Sequence, residues 1–382
     1  MTLIFPAIAI GGPPHSGKST LIYRLSNALR QKGIDHYVLR ANPDGEGDWS
    51  YEADSNLVAV LRQRVKGPWN DEFTQHVMRS IQQRHLPLLV DLGGKITSET
   101  KKVASQCTHA IVLSRDSELL SAWRTCMEDC SLQLVAELLS VLEGEQSGSL
   151  ETMPIQAVIS GLSQDKSSDG PVFKALVEVV SHSISYTSEE IYRIHSALAP
   201  SDCIINVSQA IYPLPRSAGE PWLPEYLRPL LDSLPRDEAL CVYGRGPIWL
   251  YAALAGHTLE LPFYLFDPRY GWITPPSTRR LSKAQDPRLH WQISEGKAYQ
   301  RLSIDIVDNF LDYHEADDLL LPSFPPEVGL VFDGKLPNWM YTALVRSYSS
   351  QAWLALFQPQ RSEAIVVYSN DPAIALGQTI QL

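Results

Sequence analysis

The chain has 382 residues, of which 44% are hydrophobic and 20% are charged, a composition typical of a globular protein of about two or three domains. Its formal net charge of −11 disfavours duplex nucleic acid as a partner, because non-specific binding to DNA or RNA requires a basic surface. We find no basic region ahead of the first apolar run and no apolar run of about 20 residues. The sequence therefore predicts a cytoplasmic protein without a signal peptide or a membrane span.

A nucleotide-binding motif follows the first apolar run. Residues 3–10 predict a buried strand, residues 12–19 read Gly-Pro-Pro-His-Ser-Gly-Lys-Ser, and apolar residues at helical spacing come next. This matches G-x-x-x-x-G-K-[ST] at every specified position, in the order strand, loop and helix. We expect Lys18 to reach the β- and γ-phosphates and the Ser19 hydroxyl to ligate Mg²⁺. The predicted nucleotide-binding residues in this loop are Gly12, His15, Ser16, Gly17, Lys18, Ser19 and Thr20.

The rest of the first half alternates between predicted strands and helices, which indicates a parallel α/β sheet. Strands are predicted at residues 36–40, 86–92, 109–114 and 155–161, and helices at 132–142 and 171–180. Asp91 ends the second of these strands and is the candidate second carboxylate at the metal. Its alternative role is that of a turn residue before Gly93-Gly94. The motif leaves a kinase, an ATPase and a GTPase open, and because no guanine-specific signature is present, ATP with Mg²⁺ is the expected ligand.

An acidic, glycine-rich segment at residues 42–49 lies between these predicted strands. It either faces the γ-phosphate or forms a solvated loop, and the sequence leaves both open.

The second half contains an internal repeat. Residues 244–254 read Gly-Arg-Gly-Pro-Ile-Trp-Leu-Tyr-Ala-Ala-Leu, and residues 334–344 read Gly-Lys-Leu-Pro-Asn-Trp-Met-Tyr-Thr-Ala-Leu. Each copy predicts a strand, a glycine loop, a helix and a second strand, which together resemble a fused pseudo-dimer. On such a helix, Trp249 and Tyr251 are core residues more often than base-stacking residues. The expected fold is a P-loop NTPase with a parallel sheet at residues 1–197, followed by two tandem Rossmann-like α/β modules at 198–281 and 282–382.

The repeat resembles a family of CRISPR-associated ring nucleases, the third class, which degrade cyclic oligoadenylate messengers of type III CRISPR defence. Residues 244–251 and the sequence Phe-Asp-Pro-Arg-Tyr-Gly at 266–271 carry the resemblance in the first copy. The second copy shares fewer positions with the family: Gly334, Pro337, Trp339, Tyr341 and Pro359. A P-loop domain of AAA type ahead of such a module also resembles an architecture of the family. The resemblance implies cyclic oligoadenylate as the ligand, with cyclic tetra-adenylate as the expected ring, and a homo-oligomer in which neighbouring molecules enclose that ring.

The resemblance also assigns roles to residues. Asp267 and Arg269 match the family's Asp-Pro-Arg and are the candidate catalytic pair, in which the carboxylate holds a metal such as Mn²⁺ or orients a 2′-hydroxyl. From the residues alone, Asp-Pro-Arg at a strand end is also a plausible turn. His257 lies one residue from the position of a family histidine and is the candidate general acid or base, although a lone histidine at a helix end is more often structural.

The second copy departs from the family at its chemical positions. Gln358 and Gln360 stand where the family has Asp and Arg, and Asn370 stands where it has His. Because neutral amides transfer protons poorly, this copy is predicted to bind and not to cleave. The predicted ligand-binding residues of the two copies are Gly244, Arg245, Gly246, Pro247, Gly334 and Lys335.

Three functions follow from this sequence. The first is a ring nuclease whose ATP-binding domain couples to or regulates cleavage. The second is a sensor in which ring binding controls ATP hydrolysis or phosphotransfer without cleavage. The third is a small-molecule kinase whose second half only dimerises.

Overall fold

The computed structural model describes residues 5–41, 71–162, 170–283, 285–296, 298–307 and 311–382. The chain divides into two compact units, Met1–His195 (unit 1) and Ser196–Leu382 (unit 2). The acidic segment at 42–49 lies outside the described residues. Within those residues, we find no helix with both the length and the apolar character needed to span a membrane.

Unit 1 is built on a seven-stranded sheet in the order β2-β3-β1-β4-β5-β7-β6. Neighbouring strands run parallel, except that β6 runs antiparallel to β7. The predicted α/β unit with a parallel sheet is thereby confirmed. The strands are β1 (Ala7–Gly11), β2 (Tyr37–Arg40), β3 (Leu88–Asp91), β4 (His109–Ser114), β5 (Gln133–Val141), β6 (Ser147–Ser149) and β7 (Ile155–Ser160). The helices are α1 (Lys18–Gln31), α2 (Asp71–Gln82), α3 (Ser98–Ala104), α4 (Ser117–Asp129), α5 (Pro171–Ile184) and α6 (Ser188–Ser196).

The central strand β1 is buried at every residue because helices cover both faces of the sheet. Ile8 and Ile10 point to one face and pack with apolar residues of α1 and α5. Ala7 and Ala9 point to the other face and pack with residues of α2, α3 and α4. The small alanines and the larger isoleucines therefore place β1 in the middle of unit 1, with the glycine-rich loop of residues 12–17 directly after it.

The predicted helix at residues 132–142 is wrong, because this segment forms strand β5 between β4 and β7. Val135, Ala136 and Leu138 are buried in the cluster with α1 and α5, and Leu134 and Leu139 pack against the cluster with α2, α3 and α4, so apolar side chains occupy both faces of the strand. A strand that is buried on both faces lacks the alternation that marks a half-exposed strand. Its apolar residues then recur at spacings that also fit a helix.

Unit 2 contains two main sheets with related topology. A four-stranded sheet has the order β11-β10-β9-β8, and a six-stranded sheet has the order β13-β14-β16-β17-β18-β19. In each sheet, three parallel strands (β8, β9, β10 and β14, β16, β17) are followed by an antiparallel one (β11 and β18). The strands are β8 (Ile204–Asn206), β9 (Leu240–Tyr243), β10 (Phe263–Asp267), β11 (Gly271–Ile273), β12 (Thr278–Leu281), β13 (Leu289–Glu295), β14 (Tyr299–Ile306), β15 (Leu319–Pro322), β16 (Gly329–Asp333), β17 (Trp353–Gln358), β18 (Glu363–Ser369) and β19 (Thr379–Gln381).

One apolar core joins the two sheets of unit 2. The helices are α7 (Leu227–Asp232), α8 (Ile248–His257) and α9 (Asn338–Ser347). Buried residues of α8, α9 and the inner faces of both sheets belong to a single cluster, which includes Trp249 and Trp339. Trp249 and Tyr251 are buried, which confirms the prediction that they are core residues.

The helices α8 and α9 place the corresponding ends of the two sheets side by side. At the end of α9, Arg346 donates hydrogen bonds to the carbonyls of Ala255, Thr258, Leu259 and Leu261, in the last turn of α8 and just beyond it. At the start of α9, the Trp339 ring contacts Tyr313, which in turn contacts Tyr270, three residues after β10. The parallel strands of both sheets therefore finish at one end of unit 2, here called the carboxyl end. Its opposite end is called the amino end.

Candidate functional site

The loop between β1 and α1 is held closely against the sheet. A Cβ atom at Gly12 would lie 1.9 Å from the carbonyl oxygen of Leu113, at the end of β4, so only glycine fits there. Helix α1 begins at Lys18, and Ser19 and Thr20 follow in its first turn. The first amide groups of a helix lack intrahelical partners and carry partial positive charge, so this turn presents donors suited to phosphate oxygens.

Lys18 lies inside this loop. Its Nζ atom is 2.7 Å from the carbonyl oxygen of Gly12 and 2.8 Å from that of Pro13. Burial lowers the pKa of Lys18, and the nearby Asp91 carboxylate acts in the opposite direction. Asp91 ends β3 directly beside β1, in register with Ile10. The structure therefore brings together Lys18 and Asp91, which are 73 positions apart (91 − 18) in the sequence.

The remaining loop residues fit a nucleotide. Ser16 Oγ is buried and has no hydrogen-bond partner within the described part of the chain, although such an atom normally has one. Ser19 and Thr20 are half-buried, and His15 is exposed. Ser19 and Asp91 are the residues that would hold Mg²⁺, directly or through water. The fold and this loop define unit 1 as a P-loop NTPase-like unit.

The repeated glycine loops of unit 2 are both closed by a tyrosine of the following helix. In the first copy, the Tyr251 hydroxyl donates to the Gly244 carbonyl and accepts from the Gly246 amide at 3.1 Å. In the second copy, the Tyr341 hydroxyl donates to the Gly334 carbonyl at 2.6 Å. The seven-residue spacing from glycine to tyrosine is thus explained by a hydrogen bond, which the sequence alone does not reveal.

These glycines also allow close approach of the backbone. Gly244 has a φ of 98°, and a Cβ atom there would lie 2.5 Å from Asn206 Oδ1. Gly334 has a φ of 135°, and a Cβ atom there would lie 2.0 Å from the Ile304 carbonyl oxygen. Each loop is followed by Pro247 or Pro337 and then by a helix N-terminus. Both loops lie at the carboxyl end, each with an exposed cation directly after its glycine, Arg245 or Lys335.

Asp267 and Arg269 form an ion pair at the same end of unit 2. Arg269 donates to Asp267 through its Nε at 3.1 Å, its Nη2 at 2.9 Å and its own backbone amide at 2.9 Å. The Asp267 side chain is 13% exposed, and that of Arg269 is 36% exposed. The Arg269 guanidinium also lies 4.9 Å from the centre of the Tyr270 ring. Asp267 ends β10 next to Gly244, which follows the neighbouring strand β9.

A second Asp-Pro-Arg sequence, at residues 286–288, adopts the same local geometry. Arg288 donates to Asp286 through its Nε and Nη2, both at 2.8 Å, and through its backbone amide at 2.9 Å. Here the aspartate side chain is fully buried, and Arg288 also bonds the carbonyls of Glu315 and Asp317. In both places, the Asp-Pro-Arg sequence forms a turn that is closed by hydrogen bonds from its Arg to its Asp. The location at the carboxyl end distinguishes Asp267 and Arg269 from this structural copy.

His257 is not near the Asp267–Arg269 pair. It is the last residue of α8, which runs from the carboxyl end back to the amino end of the sheet, whereas Asp267 is the last residue of β10. A ten-residue helix is about 15 Å long, so the two side chains lie at opposite ends of unit 2. His257 and Asp267 of one molecule therefore cannot act on the same phosphate. This separation could have been inferred from the sequence, because the repeat predicts a helix between two parallel strands.

The substituted positions of the second copy have structural roles. The Asn370 amide donates to the carbonyls of Ser349 and Gln351, both at 2.8 Å. Gln358 Nε2 donates to the Phe357 carbonyl at 3.0 Å. Asp333, which the sequence analysis passed over, pairs with Arg301 at 2.6 Å and accepts from the Gly334 amide.

Comparison with known protein families finds a match in the second copy. Residues 304–381 match the model of a family described as CRISPR-associated protein (Cas_csx3). The match covers the glycine loop at Gly334, whereas the residues of the first copy that carry the stronger resemblance lie outside it. No curated protein matches the chain.

Among solved structures, the chain is similar to the septum site-determining protein MinD complexed with Mg-ADP from Pyrococcus horikoshii OT3. The two share 12% sequence identity with a TM-score of 0.30, over 51% of this chain and 96% of that chain.

Proposed function

We propose that the carboxyl end of unit 2 binds and cleaves a cyclic oligoadenylate, and that unit 1 binds ATP with Mg²⁺. One observation supports the first part more than any other. Two glycine loops, each with an exposed cation and a helix N-terminus, lie at the same end of one unit. Each adjoins an Asp–Arg ion pair, of which Asp267–Arg269 lies in an Asp-Pro-Arg turn and Asp333–Arg301 does not. The match of the second copy to a CRISPR-associated family agrees with this proposal.

Phosphate binding rests on paired features. Arg245 and Lys335 occupy the same position in their copies, and α8 and α9 begin three residues after them. Cations and helix N-termini both stabilise phosphodiester oxygens. A ring of identical nucleotides repeats its own contacts, so two related loops at one end can bind two of its phosphates.

Cleavage is assigned to the first copy. Asp267 accepts a hydrogen bond from a ribose 2′-hydroxyl, and Arg269 neutralises the charge that develops on the neighbouring phosphate. The 2′-oxygen forms a bond to phosphorus and loses its proton, while the bond from phosphorus to the 5′-oxygen breaks and that oxygen takes up a proton. The products are a linear oligoadenylate with a 2′,3′-cyclic phosphate at one end and a 5′-hydroxyl at the other.

The residues at this end fit Mn²⁺ poorly. Asp267 is already bonded to Arg269, and within the described ranges no three His, Cys, Asp or Glu side chains are grouped to hold a metal ion. The proposed reaction therefore uses the guanidinium of Arg269 for charge stabilisation and contains no step on a metal.

The separation of His257 from Asp267 favours a homo-oligomer. If His257 transfers a proton in the reaction, it must do so from a neighbouring molecule whose amino end faces the carboxyl end of the first. Such an arrangement would enclose the ring between two copies and exclude water from it. Mixing His257→Gln chains with Asp267→Asn chains tests this: restored cleavage is expected only if the two groups act across an interface.

Incubation with cyclic tetra-adenylate followed by mass analysis of the products tests cleavage. Asp267→Asn and Arg269→Gln should each slow cleavage by about a hundredfold or more, since each removes a charge from the reacting site. Arg361→Gln, in the corresponding turn of the second copy, is the matched control and should cleave at the normal rate. Cleavage at the normal rate by both site variants would refute the assignment, and a plain 3′-phosphate product would refute the 2′-hydroxyl route.

ATP binding by unit 1 is tested separately. Lys18→Ala should lower ATP affinity at least tenfold, because it removes the charged donor among the phosphates. Lys32→Ala is the control, since this exposed lysine at the end of α1 pairs with Glu178. Equal affinity in all three proteins would show that the loop does not bind nucleotide.

A sensor without nuclease activity is the second candidate function, and the Asp286–Arg288 turn favours it. Because the same Asp-Pro-Arg geometry occurs in a buried, structural place, the pair at Asp267 can also be a turn that shapes a binding surface. ATP hydrolysis measured with and without saturating cyclic tetra-adenylate separates the two. A ring that stays intact and changes the hydrolysis rate supports the sensor.

A further inference from the structure

We propose a second ligand site at the amino end of unit 2, which binds a phosphorylated purine nucleoside carrying an exocyclic amino group, such as AMP. A cavity of about 480 Å³ lies there between α7, the end of α8 and the end of β18. Small-molecule sites typically have volumes of about 300–1,000 Å³, so a mononucleotide fits. The site lies at the end of unit 2 opposite to Asp267 of the same molecule.

The charges of the cavity wall favour an anion. Arg228 pairs with Asp232 at 2.9 Å. Glu260 acts electrostatically on Arg346, the buried arginine at the junction of α8 and α9. Arg236 is the remaining charged residue of the cavity wall, and it has no ion pair within the described residues. One positive charge, on the exposed Arg236, therefore remains in the cavity wall, where a phosphate can bind it.

Two polar atoms of the wall are buried without partners. Neither His257 Nε2 nor Thr258 Oγ1 has a hydrogen-bond partner within the parts of the chain that the structure describes. Burial and the neighbouring Arg236 lower the pKa of His257, while the carbonyls of Pro235 and Leu234 and the Asp232 carboxylate oppose that change. A neutral ring that donates to one of these carbonyls leaves Nε2 as an acceptor.

A hydrogen-bond acceptor in the wall requires a donor on the ligand. The exocyclic amino group of adenine supplies one, whereas the corresponding carbonyl of hypoxanthine does not. Part of the wall suits a flat base, because it includes apolar side chains and one aromatic ring: Leu231, Ala253, Leu261, Val367, Tyr368 and Leu376. Phosphate at Arg236 and an amine at His257 together define the ligand class.

The test uses the full chain with Lys18→Ala, so that the loop of unit 1 does not contribute nucleotide binding. Calorimetric titration in this background should show AMP binding, with IMP at least tenfold weaker because it leaves the acceptor unpaired. Adding Arg236→Gln should weaken AMP at least tenfold. Arg279→Gln, an exposed arginine elsewhere in unit 2, is the matched control and should leave the affinity unchanged.

Several outcomes would overturn the proposal. They are the absence of AMP binding at millimolar concentration in the Lys18→Ala background, equal affinity for AMP and IMP, and an Arg236→Gln variant that binds as the control does. Cyclic tetra-adenylate cleavage is measured in the same variants. If Arg236→Gln loses AMP binding and still cleaves cyclic tetra-adenylate at the normal rate, the AMP site is supported separately from the cleavage site. If Arg236→Gln binds AMP normally and loses cleavage, the assignment of Arg236 to an AMP site is refuted.

Discussion

At the scale of single residues, the hydroxyl of Thr258 provides a test of the buried wall at the amino end. Thr258→Val removes an unpartnered polar atom and keeps the shape of the side chain, so we expect the free energy of unfolding to rise by about 1 kcal/mol. Thr342→Val is the matched control, because that buried hydroxyl donates to the Trp339 carbonyl at 2.8 Å and its loss should destabilise the protein by a similar amount. Urea denaturation of both variants measures the difference. Two changes of the same sign would contradict the argument.

Two short motifs of this chain differ in how much they predict about structure. The sequence predicted Lys18 and Asp91 for one nucleotide site, and the structure places them close together, because a P-loop fixes the order of strand, loop and helix and the second acid ends an adjacent strand. The Asp-Pro-Arg sequence does not fix the order of the elements around it. It occurs twice, and the sequence analysis singled out Asp267 by resemblance while passing over Asp286. Only the packing distinguishes a half-exposed turn at the carboxyl end from a fully buried one.

At the scale of elements, the buried turn at Asp286 anchors the segment that leads into β13. Burial raises the pKa of Asp286, but hydrogen bonds from Arg288 and from the Leu320 and Arg288 amides outweigh it and lower the pKa to about 2. A depressed carboxyl pKa adds stability above the unfolded value near 4, and that stability is lost as the pH falls towards 2. We expect acid to remove about 2 kcal/mol of stability through this group.

Asp286→Asn tests this linkage. At pH 7 the variant should be destabilised by about 3 kcal/mol, because Arg288 loses its buried partner. Between pH 5 and pH 2, the difference in unfolding free energy between the two proteins should shrink, since protonation removes the same ion pair from the wild type. A difference that is constant over this range would show that Asp286 is not ionised in the folded protein.

The elements of the chain were predictable where the length and spacing of their apolar residues fit one type of structure only. Strands β4 and β7 and helix α5 were predicted within a few residues, because short apolar runs and helical spacing indicate them. Strand β5 was mistaken for a helix because its apolar residues, which occupy both faces, recur at spacings that also fit a helix. The position of His257 followed from the repeat itself: a helix that returns between two parallel strands must end far from where those strands end.

At the scale of the whole molecule, the two copies of the repeat share one core. The apolar cluster of unit 2 includes residues from both sheets and both repeat helices, and Gly256 of α8 packs closely on Val345 of α9. A Cβ atom at Gly256 would lie 3.0 Å from a Val345 methyl group. The sequence showed the repeat but not this docking. The position that corresponds to Arg346 in the first copy is Gly256, so the contact between the copies is asymmetric.

Arg346 is the residue through which that docking can be tested. Its guanidinium is half-buried and donates to four carbonyls in the last turn of α8 and just beyond it, so Arg346→Met leaves those carbonyls without their donor. We expect unit 2 to lose about 3 kcal/mol of stability, as happens when a buried charged donor is removed.

Calorimetric unfolding in the presence of Mg-ATP should distinguish the units, because the nucleotide raises the unfolding temperature of unit 1 only. The variant should lower the other transition and leave the nucleotide-dependent one in place. A variant that lowered the nucleotide-dependent transition equally would show that the two units unfold together, and an unchanged scan would show that Arg346 does not hold the copies.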